Sequence, residues 1–121
     1  RAAAQYGASV DVLSAIGSAN LALGRLGQAE QILRRAIEAD ENFVPAWNNL
    51  GVVLMETGEV AEASRVFKTA FALDSGQSDS IRENLRLALA KVENPAYDAG
   101  NEEKFALVRR GQGEYLLITK H

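Results

Sequence analysis

Two arginines, Arg82 and Arg86, stand four residues apart in an apolar-periodic stretch. On a helix that spacing puts both guanidinium groups on one face, where together they could hold a carboxylate or a phosphate through charge-assisted bonds. Asp79 and Glu83 offer the competing arrangement, ion pairing within the helix itself. Other reactive groups are sparse. The only histidine is His121 and there is no cysteine, so the sequence leaves no histidine-based triad, multi-histidine metal site, thiolate zinc site, disulfide or cysteine nucleophile. Gly111-Gln112-Gly113 is too short for a phosphate loop and lacks the strand-then-helix frame such a loop needs. Asp40-Glu41 and Glu102-Glu103 are adjacent acids in polar connectors without the ligand spacing of a calcium loop, and read as solvated. Tyr6, Tyr97 and Tyr115 lack the basic and aromatic company of a base-stacking platform. No catalytic, cofactor or metal site is assigned, and the chain reads as a non-enzyme.

The elements that position the arginines must come from 121 residues, enough for one compact domain, of which 47% are apolar. A net charge of −3 argues against a general nucleic-acid binder, which needs a basic face to release counterions. No run approaches the roughly 18 to 20 apolar residues that span a bilayer, so no direct membrane insertion is expected. The compartment stays open between cytoplasm and periplasm.

Sliding the sequence by 34 residues brings Val10 onto Val44, Gly17 onto Gly51, Gly24 onto Gly58, Ala29 onto Ala63, Ala36 onto Ala70 and Asp40 onto Asp74. Apolar character persists at the same phase: Leu13 meets Trp47, Ile16 meets Leu50, Leu33 meets Phe67 and Ile37 meets Phe71. Each unit reads as two helices. Trp47, Leu50, Gly51 and Leu54 recur at i, i+3, i+4 and i+7. Pro45 sits in a first turn, where its missing N–H has no helical partner to lose, and Gly58 supplies a left-handed stop. A second stripe runs through Val60, Ala63, Val66, Phe67, Ala70 and Phe71. Gly17 with Ala29, and Gly51 with Ala63, are expected where the paired helices approach most closely.

The run Trp47-Asn48-Asn49-Leu50-Gly51, followed by Leu54, Gly58, Ala63, Phe67, Ala70 and Asp74, resembles the tetratricopeptide repeat signature, and the 34-residue period agrees. The resemblance implies an all-α fold, a right-handed α-α superhelix. Its units are 10–43 and 44–77, with a capping helix at 78–94 and residues 1–9 as the tail of a preceding repeat helix from a longer array. In the first unit Leu13 replaces the signature Trp and Asn20 the residue matching Leu54, and Ser75 stands where proline is frequent. Ser80 and Glu83 have capping-box spacing, and Ile81, Leu85, Ala88, Leu89 and Val92 form the expected apolar stripe of the capping helix, with Leu85 in the place of the glycine. Within the linker and tail at 95–121, Phe105 to Val108 and Tyr115 to Thr119 flank a glycine-bearing turn and read as a β-hairpin. Such a pair is marginal alone; it either folds back on the helices or pairs with another chain.

The resemblance further implies that the first helix of each unit lines a concave groove. The groove-facing places it assigns are Asp11, Ser14, Ser18, Leu21 and Ala22, then Pro45, Asn48, Val52, Met55 and Glu56, then Asp79, Arg82, Arg86, Leu89 and Ala90. Ser14, Ser18, Leu21, Asn48, Val52, Met55, Arg82, Arg86 and Leu89 are the expected partner-binding residues: an aliphatic floor with a basic end. The carboxylate clamp of chaperone-tail-binding members is not expected, because only Asn49 matches it. The function so implied is a scaffold that binds a peptide or helix of another protein in the groove. The alternative is an assembly module that self-associates into a homo-oligomer, or docks, through the hairpin; many bacterial proteins of similar arrangement serve complex assembly in secretion, pili or the envelope.

Overall fold

The computed structural model describes residues 9–94 with their side chains, and 104–108 and 114–118 as backbone. The expectations for residues 1–8, the polar stretch 95–103, the Gly111-Gln112-Gly113 turn and His121 lie outside the described residues. In chain order the described helices are α1 (Val10–Ala22), α2 (Leu26–Ala39), α3 (Val44–Glu56), α4 (Val60–Leu73) and α5 (Asp79–Glu93). Two strands follow, β1 (Lys104–Val108) and β2 (Glu114–Ile118), paired antiparallel with Phe105 opposite Leu117 and Leu107 opposite Tyr115. The chain is an all-α helical repeat with this ribbon after it.

The glycine stops repeat with the period. Gly24 and Gly58 have φ of 80° and 88°, a backbone region that a side chain makes costly. The same bond closes both turns: the Arg25 N–H donates to the Asn20 carbonyl and the Glu59 N–H to the Leu54 carbonyl, each at 2.8 Å. Pro45 is the second residue of α3, where it breaks no helical bond. Trp47 ties its helix to the preceding connector, its indole N–H donating to the Glu41 carbonyl at 2.8 Å.

Within a unit the two helices meet through a glycine and a large apolar side chain. A Cβ on Gly17 would stand 2.5 Å from Leu33 Cγ, and one on Gly51 only 2.4 Å from Phe67 Cε1. Leu33, Phe67, Ala29 and Ala63 are all fully buried. The close approach expected at Gly17 and Gly51 is therefore present, and Ala29 and Ala63 are buried in the same core. Between units, α2 packs on α3 and α4 on α5, so α1, α3 and α5 form one layer and α2 and α4 the other. Arg34 on α2 bridges to Glu62 on α4 at 3.0 Å while also meeting Glu30 at 2.9 Å. These groups are partly exposed, so solvent screening keeps the contribution below about 1 kcal/mol.

The capping helix departs from strict register. From Val10 to Val44 is 34 residues, but from Val44 to Asp79 is 35. The extra residue is taken up where Ser75 and Gly76 both adopt positive φ, 57° and 69°, and the Asp74 carboxylate accepts the Ser78 N–H at 2.6 Å. Two expectations are corrected by this. The N-cap is Ser78, whose hydroxyl accepts the Ile81 N–H at 3.2 Å; Ser80 lies inside the helix, so the Ser80–Glu83 capping box does not form. Arg86, not Leu85, takes the place of Gly51. The expected apolar stripe also divides: Ile81 and Ala88 are buried, while Leu89 and Val92 are 37% and 42% exposed. With Arg86 in the place of Gly51, α5 cannot meet a second helix as closely as α3 meets α4.

Candidate functional site

The layer of first helices is joined by a line of polar side chains. The Ser18 hydroxyl donates to the Ser14 carbonyl at 3.1 Å and accepts from Asn49 Nδ2 at 2.9 Å. Asn48 Nδ2 donates to Asn49 Oδ1 at 3.2 Å, and Asn84 Nδ2 donates to Asn48 Oδ1 at 2.9 Å. All five residues are buried. One path therefore crosses α1, α3 and α5, three helices far apart in sequence. Buried amides and hydroxyls are tolerated only when bonded, so this line fixes how the three helices sit side by side.

Stacking brings Ser14, Ser18, Asn48 and Val52 together on this layer, with Leu21 on α1 and Met55 on α3. Ser14, Ser18, Leu21, Asn48 and Val52 are buried and Met55 is half-buried. Arg82, Arg86 and Leu89 are exposed on α5. The one-residue shift gives these three the places that Trp47, Gly51 and Leu54 occupy on α3. Gly51 faces α4, so the two arginines flank the inner layer on the side where a second helix stands in the complete units. The equivalents of Asn49 and Val52 on α5 are Asn84 and Leu87, both buried. The strict 34-residue register missed them. The available signal was Gly76, since the connector Asp40–Phe43 of the first unit carries no glycine.

The arginines already hold carboxylates on their own helix. Arg82 pairs with Asp79 and donates to the Gly76 carbonyl at 2.7 Å, and Arg86 pairs with Glu83. The Arg86 hydrogen bond holds the Glu83 carboxyl below its ordinary range. An incoming acidic group would have to exchange with these partners.

At the C-terminal end of α3, burial pushes the Glu56 carboxyl above its ordinary range. The folded chain thus holds this proton more readily than the unfolded chain. Its favourable contribution is complete below the ordinary carboxylate range and is lost as pH rises through the raised value. Glu56→Gln is expected to stabilise the fold at neutral pH, with the difference from the parent shrinking toward zero as the pH is lowered below that range; urea midpoints across pH 3.5 to 8 check it.

The ribbon completes the surface. β1 packs on α3 and on α5, both of the inner layer. Among the described residues no helix is long and apolar enough to cross a membrane.

Comparison with known proteins agrees with this architecture. The family model described as tetratricopeptide repeat matches residues 20–82, just over half of the chain. Over 53 residues, 44% of the chain, the sequence is 42% identical to Tetratricopeptide repeat protein 7B of Mus musculus and of Homo sapiens. Over 69 residues, 57% of the chain, it is 35% identical to Cellulose synthase operon protein C of Komagataeibacter xylinus. The chain spans only 6% and 5% of the lengths of these relatives.

Proposed function

Because this chain belongs to the tetratricopeptide repeat family, whose repeats generally mediate protein–protein interaction, we propose that it is a non-catalytic scaffold that binds a peptide or helix of a partner protein on the layer formed by α1, α3 and α5. The supporting observation is the side-by-side placement of three first helices, joined through Ser18, Asn49, Asn48 and Asn84. A partner laid across them meets side chains from three separate segments at once, which gives specificity that one helix cannot supply. The floor proposed for it is Leu21, Val52 and Met55, beside Ser14, Ser18 and Asn48; of these Met55 is half-buried and the others lie beneath the surface of the layer. Arg82, Arg86 and Leu89 flank the α5 end and suit an acidic, partly apolar end of the partner.

Met55 is the test position, since it is half-buried and packs on the rim of the apolar cluster, outside its fully buried residues. Met55→Arg is expected to weaken partner capture at least tenfold while the thermal midpoint stays within a few degrees. Arg65→Glu, exposed on α4 of the other layer, is the control expected to leave capture intact. Partners recovered on the parent chain and identified by mass spectrometry supply the ligand for both measurements. Loss of capture by the control alone would move the binding surface to the outer layer. Arg82→Ala combined with Arg86→Ala is expected to reduce affinity a few-fold and flatten its salt dependence, the range of exposed ion pairs. An unchanged salt slope removes the acidic end from the proposal.

A further inference from the structure

The inner layer is not bare. Val52 on α3 and Leu87 on α5 stand one turn after Asn48 and Asn84, and both are almost wholly buried. Side chains on the face of a helical layer turned away from its partner layer are ordinarily open to water or to a ligand. Here the element packed on α3 and α5 besides their neighbouring helices is β1, the extended segment Lys104-Phe105-Ala106-Leu107-Val108. Neither α2 nor α4 has more than a marginal approach to it. β1 therefore lies on the side of the inner layer that faces away from the second helices.

We propose that the inner face of α3 and α5 is a site for an extended apolar segment, that β1 is its resident occupant, and that a partner segment of the same chemistry gains the face by displacing β1. This rests on the binding function proposed above and adds to it the kind of partner and the regulation. Two physical points support displacement. A two-stranded ribbon is marginally stable in water by itself, so its order depends on docking. Among the described residues, Val52 and Leu87 share one apolar cluster with Leu33, Leu50 and Phe67, contacts between helices that do not require the ribbon. A tethered occupant also acts at a high effective concentration, of millimolar order for a short linker. It lowers the apparent affinity of a competitor by the fraction of time that the face is open.

The chain contains no cysteine, so a single introduced thiol reports on one position. Val52→Cys is expected to react with a maleimide slowly in the intact chain. Adding Phe105→Asp and Leu107→Asp, which make β1 a poor apolar occupant without changing any helix, is expected to raise that rate at least tenfold. A labelled synthetic peptide of residues 103–120 is expected to bind the doubly substituted chain at least tenfold more tightly than the intact chain. Equal thiol rates in the two backgrounds would overturn the proposal, as would a peptide that binds both chains alike or neither. If the aspartates lower the helical circular dichroism signal, Ala106→Pro, which removes a backbone N–H and disfavours the strand, replaces them with the same expected results. Sedimentation at micromolar concentration distinguishes the source of the occupant: a monomer is expected, and a dimer that dissociates on the ribbon substitutions would assign the face to a second copy and overturn self-occupation. Failure of the wider binding reading looks different, with the thiol released and the peptide bound but no partner captured.

Discussion

Replacing Gly51 with leucine is expected to destabilise the chain by roughly 1 to 3 kcal/mol, the usual cost of overpacking a close contact. Helix propensity predicts the opposite sign, because glycine inside a helix is worse than leucine by up to about 1 kcal/mol. Geometry decides between them. A Cβ alone would stand 2.4 Å from Phe67 Cε1 and 2.6 Å from Cδ1. Phe67 is fully buried against Leu50, Leu54 and Ala63 in one cluster, so the ring has little room to retreat. For a helical domain of this size the loss corresponds to a fall in thermal midpoint of about 4 to 8 °C per kcal/mol. Urea and thermal denaturation of Gly51→Leu measure it, and a midpoint at or above the parent's would refute the close-contact account. The effect should also be non-additive. Phe67→Ala costs about 3 to 5 kcal/mol by itself, yet Gly51→Leu placed on that background should cost far less, because the new side chain enters the space the ring left.

Asn48→Leu should lower stability by an amount on the order of 1 to 3 kcal/mol, through polar groups rather than volume. The substitution removes the acceptor for Asn84 Nδ2 and the donor to Asn49 Oδ1. Both neighbours are fully buried, and water does not readily replace the lost bonds there. Removing the Asn84 side of the pair as well relieves part of this. Asn48→Leu with Asn84→Leu is therefore expected to be less destabilising than the sum of the two single changes, as read from denaturation midpoints in a double-mutant cycle. Full additivity would mean that the line of amides is not a coupled unit. Because the line joins α3 to α5, the single substitution is also expected to speed hydrogen exchange in α5 more than in α2.

Much of the architecture was legible in the residues. A close approach at Gly17 and Gly51 follows from the 34-residue period, which set them beside Ala29 and Ala63; that Leu33 and Phe67 are the side chains lying against them came from the structure. The stops at Gly24 and Gly58 were legible because a left-handed φ is cheap for glycine alone. Such features are local, or depend on one short antiparallel turn. The candidate surface was less so. Counting by 34 placed Arg82, Arg86 and Leu89 at the inner face, whereas the connector with Ser75 and Gly76 at positive φ is one residue longer and shifts the register of α5 by one residue, a helical phase of about 100°. In that register Asn84 meets Asn48, Leu87 joins the apolar cluster that holds Val52, and the arginines stand on the flank.

The sequence by itself determined that two helical hairpins form, where they stop and which faces join them, since periodicity and glycine conformational freedom act over fewer than 34 residues. Only the tertiary structure decided the phase of α5, the line of buried amides through Ser18, Asn49, Asn48 and Asn84, and the placing of β1 on α3 and α5. The amide line and the placing of β1 bring together groups 30 or more residues apart, from Ser18 to Asn49, from Asn48 to Asn84 and from α3 to β1. Composition and spacing do not specify such a meeting; the turn at Ser75-Gly76 and the packing of the whole layer do.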